Sequence, residues 1–156
     1  MNTNSIPRKI PDAKDAEVAQ KTQKSQKDID LSLEDELSRR IIGCAVEVQR
    51  ELGTGLLESV YRKALTYELE SCGLRVETEV EFNAFYKGTN VGLAYRCDLI
   101  VNDLVVLELK STESLQEIHR AQLLTYLHLT GHKLGLLMNF GEYPVTKGIK
   151  RMVNKL

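Results

Sequence analysis

The stretch LVVLELK, residues 104–110, has the composition of a buried β-strand but carries two charged side chains. Five of its seven residues are Leu or Val, which is typical of a strand at the centre of a sheet. Because side chains alternate between the two faces of a strand, Glu108 and Lys110 point to the same side. Charged groups are rarely buried unless they are paired or bind a metal ion. The stretch therefore predicts a central strand whose charged residues have either a structural partner or a function.

The segments on either side of this strand predict a mixed α/β sheet flanked by helices. Upstream, residues 75–88 and 91–101 have the alternation and apolar content of two further strands. Asn102 and Asp103 predict a two-residue hairpin loop that leads into the central strand. Downstream, a helical segment precedes an apolar strand at 133–140. A helix between two strands implies a crossover, so the third and fourth strands are predicted to be parallel.

The N-terminal part of the chain predicts a tail followed by two helices. Residues 1–30 are rich in Lys, Gln and Asp and contain no aromatic residue. Such a segment cannot bury enough apolar surface to offset its ordering entropy, which predicts disorder. Ser32 and Asp35 form a pair similar to a capping box, which predicts the start of a first helix that ends at Gly53. An apolar stripe after Gly55 predicts a second helix that ends at Gly73. We therefore expect a disordered tail at 1–30 and one domain at 31–156.

The bulk composition excludes several classes of protein. A net charge of −1 excludes a strongly basic protein that coats nucleic acid, but it is compatible with a nuclease whose metal-binding carboxylates offset basic residues. The three cysteines form no CxxC pair, which is typical of apolar core residues in a reducing compartment. The chain contains neither a secretory signal nor an apolar run of about 18 residues, so we expect a cytoplasmic protein without a membrane partner.

Asp98, on the second predicted strand, adds a carboxylate near the charged pair of the central strand. With a loop at 102–103, Asp98 falls opposite Leu107, and Glu108 is its diagonal neighbour. Mg²⁺ takes carboxylate oxygens as ligands and keeps positions for water and phosphate. Lys110 beside such an ion can orient a water molecule or stabilise charge on a phosphoryl group. The pattern is therefore compatible with metal-dependent phosphodiester cleavage and, equally, with an ion pair of Lys110 with either carboxylate.

Three short motifs occur in the same order as in a known superfamily. Asp98 followed by Glu108-Leu109-Lys110 resembles the signature of the PD-(D/E)XK nuclease superfamily. GLLESVY at 55–61 resembles the G-x-x-E-x-x-Y pattern of its GxxExxY family, and QLLTY at 122–126 resembles a Q-x-x-x-Y motif of other members. The resemblance covers residues 35–156. One departure is Cys97, which stands where the signature has proline.

This resemblance implies a restriction-endonuclease-like α/β fold and a nuclease that acts on DNA with Mg²⁺ or Mn²⁺. Glu58 then adds a carboxylate that reaches toward the metal ion. The implied site has Asp98, Glu108 and Glu58 as metal ligands, Lys110 as catalytic cation, and Gln122 and Tyr126 in supporting catalytic roles.

Several of these residues also have a structural interpretation. Glu58 can complement the helix dipole and pair with Arg62 four residues later. Tyr61 can pack in the core, and Gln122, on a helix that is apolar on most sides, is expected to be buried and hydrogen-bonded to the sheet. Arg96, on the same strand face as Asp98, can contact phosphate or neutralise the carboxylates.

Two further functions stay open at this point. A non-catalytic module that binds nucleic acid or protein would keep the fold and use the polar cluster as a structural network. A homodimer or a subunit of a larger DNA-processing assembly would fit the small size of the chain. The basic residues between 147 and 155 are typical of solvated surface, although they would also suit a phosphate backbone.

Overall fold

The computed structural model describes residues 13–155, and within this range five strands form one sheet in the order β1-β2-β3-β4-β5. The strands are β1 (Val76–Tyr86), β2 (Thr89–Val101), β3 (Val105–Lys110), β4 (Leu134–Asn139) and β5 (Ile149–Val153). The helices are α1 (Ala13–Leu52), α2 (Glu58–Ser71) and α3 (Glu117–Thr130), with a short 3₁₀ helix at Val145–Gly148. β3 and β4 are parallel, and the other neighbouring strands are antiparallel. The predicted α/β class, a mixed sheet flanked by helices, is confirmed.

The first helix begins well before its predicted start. α1 begins at Ala13, so the predicted helix start at Ser32 is wrong. Residues 13–31 contain no Gly or Pro and many strong helix formers, which explains why the helix extends through them. The chain divides into two units, Met1–Leu33 and Glu34–Leu156. Residues 1–12 of the predicted tail lie outside the described residues, and disorder of the tail stays a prediction.

β3 separates two apolar layers, one on each face of the sheet. On one face, Leu107 and Leu109 pack in a cluster with residues of α1 and α2. On the other face, Val106 packs in a cluster with Leu123 of α3. Since side chains alternate along a strand, the positions 108 and 110 lie on the same side as Val106. The two charged residues of β3 thus lie on the face that α3 covers.

The β2–β3 hairpin has a different register from the one predicted. Val101 pairs with Val105, so the loop has three residues, and the prediction of a two-residue loop is wrong. Asn102 and Asp103 both adopt left-handed backbone conformations, with φ of 51° and 56°, which Asn and Asp tolerate better than most residues. The extra residue, Leu104, moves the register by one position. Asp98 consequently lies across from position 108 and not from position 107.

The connection that follows β3 is held by one buried side chain. Asn139, at the end of β4, accepts hydrogen bonds from the backbone N–H groups of Thr112 (3.0 Å) and Gly141 (3.1 Å). Its amide also donates to the Thr112 carbonyl at 2.9 Å. A Cβ atom at Gly141 would lie only 2.0 Å from that carbonyl oxygen. The close approach of these two loops therefore requires glycine at position 141.

We predict that Gly141→Ala lowers the free energy of unfolding by about 2 kcal/mol or more, because backbone must move to admit the methyl group. Gly43→Ala is the matched control, since a Cβ at this exposed position of α1 has nothing within 4 Å. That control should gain roughly 0.5–1 kcal/mol from the higher helix propensity of alanine. Urea denaturation of both variants measures the difference, and equal stabilities would contradict the close approach.

Candidate active site

Asp98 lies where the ladder between β2 and β3 stops. The last pair of this ladder is Leu99 with Leu107. Beyond it, the Oδ2 atom of Asp98 accepts a hydrogen bond of 2.7 Å from the backbone N–H of Leu109. A carboxylate thus takes the place of a strand carbonyl as the partner of this N–H group. The fork between the two strands leaves room for a polar cluster inside an otherwise apolar sheet.

Glu108 and Lys110 complete this cluster from β3. The Oε2 atom of Glu108 accepts a hydrogen bond of 2.8 Å from the hydroxyl of Tyr95 on β2. The Nζ atom of Lys110 lies 3.8 Å from the Oε1 atom of Glu108. The side chains of Asp98, Glu108 and Lys110 are only 16%, 12% and 18% exposed, so all three charges are partly withdrawn from water.

The surroundings of Glu108 raise its pKa to about 7. Burial is the largest cause, and the negative charge of Asp98 adds to it, whereas the hydrogen bond from Tyr95 and the charge of Lys110 oppose the shift. A protonated Glu108 also shares a hydrogen bond with Asp98, which raises the pKa further. Two neighbouring carboxylates of this kind repel each other unless a proton or another cation lies between them.

The donor set of this cluster fits a hard divalent cation. Mg²⁺ and Mn²⁺ prefer carboxylate oxygens, and Mg²⁺ is often held by one or two carboxylates together with water and phosphate. Asp98 and Glu108 meet this requirement, and their mutual repulsion would be relieved by such an ion. Within residues 13–155, no group of three or more His, Cys, Asp or Glu side chains is arranged to hold a metal ion. The structure therefore brings together two of the three predicted ligands.

Arg62 of α2 belongs to the site, although the sequence predicted Glu58 as its partner. Its guanidinium lies 3.3 Å from the Oδ1 atom of Asp98 and 3.4 Å from the Oε1 atom of Glu79. These partners replace the predicted pairing with Glu58, because the α2 face that carries Arg62 is turned toward β1 and β2. Glu79 has a left-handed backbone, with φ of 50°, at the position between the Thr78–Leu99 and Val80–Cys97 pairs.

Glu58 lies at the start of α2, on the same helix face as Arg62 one turn later. The hydroxyl of Ser111, which directly follows β3, donates to the carbonyl of Leu56 at 2.7 Å. This contact holds the start of α2 near the end of β3. Glu58 is half-buried there, and within residues 13–155 it does not join Asp98 and Glu108 in a group arranged to hold a metal ion.

Tyr61, the last residue of the G-x-x-E-x-x-Y pattern, lies in the core. It is fully buried and stacks on Phe140 with ring centroids 4.6 Å apart. Its hydroxyl donates to the carbonyl of Gly53 (2.8 Å) and accepts from the N–H of Leu56 (3.2 Å). Tyr61 thus holds the loop between α1 and α2, which agrees with its structural interpretation.

Gln122 and Tyr126 of α3 have different environments. The α3 residues that are buried are Leu123, Tyr126 and Leu127, so Gln122 lies on an exposed flank, and the prediction that it is buried is wrong. Tyr126 is fully buried and contacts the ring of Tyr95, with centroids 4.6 Å apart. Tyr126 therefore supports the residue that donates to Glu108, while Gln122 faces solvent.

The remaining basic candidates lie outside the cluster. Arg96 is exposed and donates to Glu81 on β1, with Nε at 3.0 Å from the carboxylate. Arg151 on β5 pairs with Asp35 of α1 at 2.5 Å. Because β4 separates β5 from β3, the basic run near the C-terminus is not adjacent to the fork in the sheet.

Two residues of the site, Arg62 and Tyr95, were not predicted from the sequence to be functional. The spacing of four between Glu58 and Arg62 was a usable signal, since it puts both on one helix face. Tyr95 lies on β2 beside Arg96, and no sequence signal indicated that its hydroxyl reaches Glu108.

Comparison with known proteins agrees with this geometry. The family model of the PD-(D/E)XK nuclease superfamily matches residues 35–152, so the chain belongs to this superfamily. No curated protein and no solved structure matches the chain significantly. Within residues 13–155, none of the helices combines the length and apolar character needed to cross a membrane.

We predict that the stability of the metal-free protein falls as the pH rises from about 4.5 to about 7. In this window the unfolded chain has released the Glu108 proton, whereas the folded state still binds it. The resulting destabilisation is absent below the lower value, complete above the upper one, and roughly 1–3 kcal/mol in size. Urea denaturation in the presence of a chelator, at several pH values across this window, measures the slope.

Glu108→Gln should abolish the part of this slope that Glu108 causes, because it removes the titrating group. Glu81→Gln, which alters an exposed carboxylate on β1, is the matched control. It should keep the wild-type difference in the free energy of unfolding between about pH 4.5 and about pH 7. A wild-type slope that is unchanged in Glu108→Gln would contradict the raised pKa.

Proposed function

We propose that this protein is a metal-dependent nuclease that hydrolyses phosphodiester bonds in DNA. The observation that supports it most directly is the convergence of Asp98, Glu108 and Lys110 at the fork between β2 and β3, in a chain of the nuclease superfamily. The G-x-x-E-x-x-Y pattern at 55–61 further supports assignment to the GxxExxY family.

Asp98 and Glu108 would hold Mg²⁺ or Mn²⁺ in this proposal. When bound, such an ion lowers the pKa of a water molecule and stabilises negative charge on the phosphoryl group. The chain itself keeps the two carboxylates in position: the Leu109 N–H orients Asp98, and the Tyr95 hydroxyl orients Glu108. The hydrogen bond from Tyr95 also favours the ionised, ligand-competent form of Glu108.

Lys110 has the catalytic role that distinguishes cleavage from binding. Its ammonium group lies beside Glu108 and is mostly shielded from water, which strengthens its interaction with a developing negative charge. From this position it would orient the attacking water or stabilise the pentavalent phosphoryl group. Tyr126 acts indirectly by packing behind Tyr95.

Arg62, Glu58 and Gln122 surround this core in secondary roles. Arg62 neutralises Asp98, and Glu79 offers it a second acceptor when Asp98 acts as a ligand. Glu58 is proposed as an auxiliary acid because it lies one helical turn from Arg62 on the same face. Gln122, which is exposed, is available to substrate.

A non-catalytic binding module is the second candidate, and one observation favours it. Asp98 is paired with Arg62, and Glu108 is paired with both Tyr95 and Lys110, so the polar cluster is internally satisfied. Such a module would bind nucleic acid or protein, alone, as a homodimer or within a larger DNA-processing assembly.

We predict that Asp98→Asn weakens Mn²⁺ or Mg²⁺ binding by at least about tenfold, because it replaces a charged ligand by a neutral one. The amide oxygen can still accept the Leu109 hydrogen bond, so the fold should persist. Isothermal titration calorimetry measures the affinity, with Glu81→Gln as the matched control outside the cluster. Arg62→Met should strengthen binding, since it removes a cation from Asp98. Equal affinity in wild type and Asp98→Asn would argue against the metal site.

We predict that Lys110→Met lowers the cleavage rate by about two to four orders of magnitude while substrate affinity changes little. Lys63→Met, at an exposed lysine of α2, is the matched control and should cleave normally. The assay compares labelled single- and double-stranded DNA and RNA in the presence of Mg²⁺ or Mn²⁺. Cleavage that persists in Lys110→Met would exclude this catalytic role, and wild type without activity on any substrate would favour the binding module.

A further inference from the structure

Two free thiols lie side by side where α1 passes the C-terminal end of α2. The sulfur atoms of Cys44 and Cys72 are 3.7 Å apart, although 28 positions separate the residues in the chain. A disulfide has a sulfur–sulfur distance of about 2.05 Å, so the distance between the two sulfur atoms must shorten by less than about 2 Å. Cys72 caps α2 and precedes Gly73, where the chain turns, which allows a small adjustment on that side.

The thiol pair is accessible from solvent on one side. Cys72 is exposed, whereas Cys44 is only 6% exposed and lies behind it. A surface cavity of about 530 Å³ is lined by both cysteines together with Arg40, Gly43, Glu47 and Glu68. Arg40 donates a hydrogen bond of 2.7 Å to the Cys72 carbonyl. A small oxidant can therefore reach Cys72 directly.

We propose that Cys44 and Cys72 form a dithiol site that a hydroperoxide oxidises to an intramolecular disulfide. In the first step, the sulfur of Cys72 attacks one peroxide oxygen. The O–O bond breaks, Cys72 becomes a sulfenic acid, and the leaving oxygen takes a proton to form an alcohol or water. In the second step, the sulfur of Cys44 attacks the Cys72 sulfur, the S–O bond breaks, and water leaves with the Cys44 proton. Two thiols lose two electrons in total, and one hydroperoxide is reduced.

The order of the two steps follows from the environment of each thiol. Burial, followed by the hydrogen bond with Cys72, raises the pKa of Cys44 to about 12, so Cys44 is protonated at neutral pH and is the poorer initial nucleophile. Its position against the Cys72 sulfur makes it the resolving partner. Cys97 is fully buried in the other apolar layer and has no part in this chemistry.

The test uses the full-length protein and hydrogen peroxide. After treatment, the protein is unfolded, its free thiols are alkylated, and the peptides are analysed by mass spectrometry without reduction. We expect the Cys44 and Cys72 peptides to be joined in a monomeric protein, with Cys97 alone alkylated. Oxidation should also raise Tm by several degrees, because the cross-link restricts the unfolded chain, and dithiothreitol should reverse the shift.

Two variants make the result specific. Cys97→Ser is the matched control and should still form the cross-link, whereas Cys72→Ser should leave Cys44 and Cys97 open to alkylation after the same treatment. A Cys72 that ends as a sulfinic acid while Cys44 stays alkylatable would overturn the proposal. So would a disulfide between two chains through Cys72, or three fully alkylated cysteines at peroxide concentrations that oxidise a free thiol peptide.

Discussion

The hydrogen bond from the Leu109 backbone N–H to the Asp98 carboxylate links the sheet and the candidate site. An unpaired N–H group in a buried strand costs about 1–3 kcal/mol, so the end of the β2–β3 ladder needs an acceptor at this point. Asp98 supplies it, and the same contact fixes the carboxylate beside Glu108. One side chain therefore satisfies the backbone of the central strand and also provides the first candidate ligand.

The other charged groups are arranged around this contact so that each has an opposite partner. Arg62 approaches Asp98 from α2, and Lys110 approaches Glu108 along β3. Because these side chains are mostly withdrawn from water, their mutual interactions are stronger than those of surface ion pairs. Burial and the negative charge of Asp98 nevertheless raise the pKa of Glu108, so the cluster disfavours the state in which both carboxylates are ionised. In the proposed function, a divalent ion held by Asp98 and Glu108 would take the place of the proton on Glu108.

Residues far from the chemistry hold this cluster in position. Tyr126 packs behind Tyr95, and Asn139 holds the connection that follows Lys110. Tyr61 and Ser111 bind the loop before α2, on which Glu58 and Arg62 are placed. Tyr61 and Tyr126, two of the motif residues, are thus buried residues of the scaffold that support the groups around them.

The sequence by itself determined the α/β class and the first four strands, since alternation and composition act locally, and it predicted that Asp98, Glu108 and Lys110 lie close together. It could not determine the three-residue hairpin loop, because Asn-Asp suits more than one turn, and this error displaced Asp98 by one position. Only the tertiary structure decided that Arg62 contacts Asp98 and that Gln122 is exposed. Both depend on how a helix face is turned toward the sheet, and helical periodicity shows which residues share a face but not which partner that face meets.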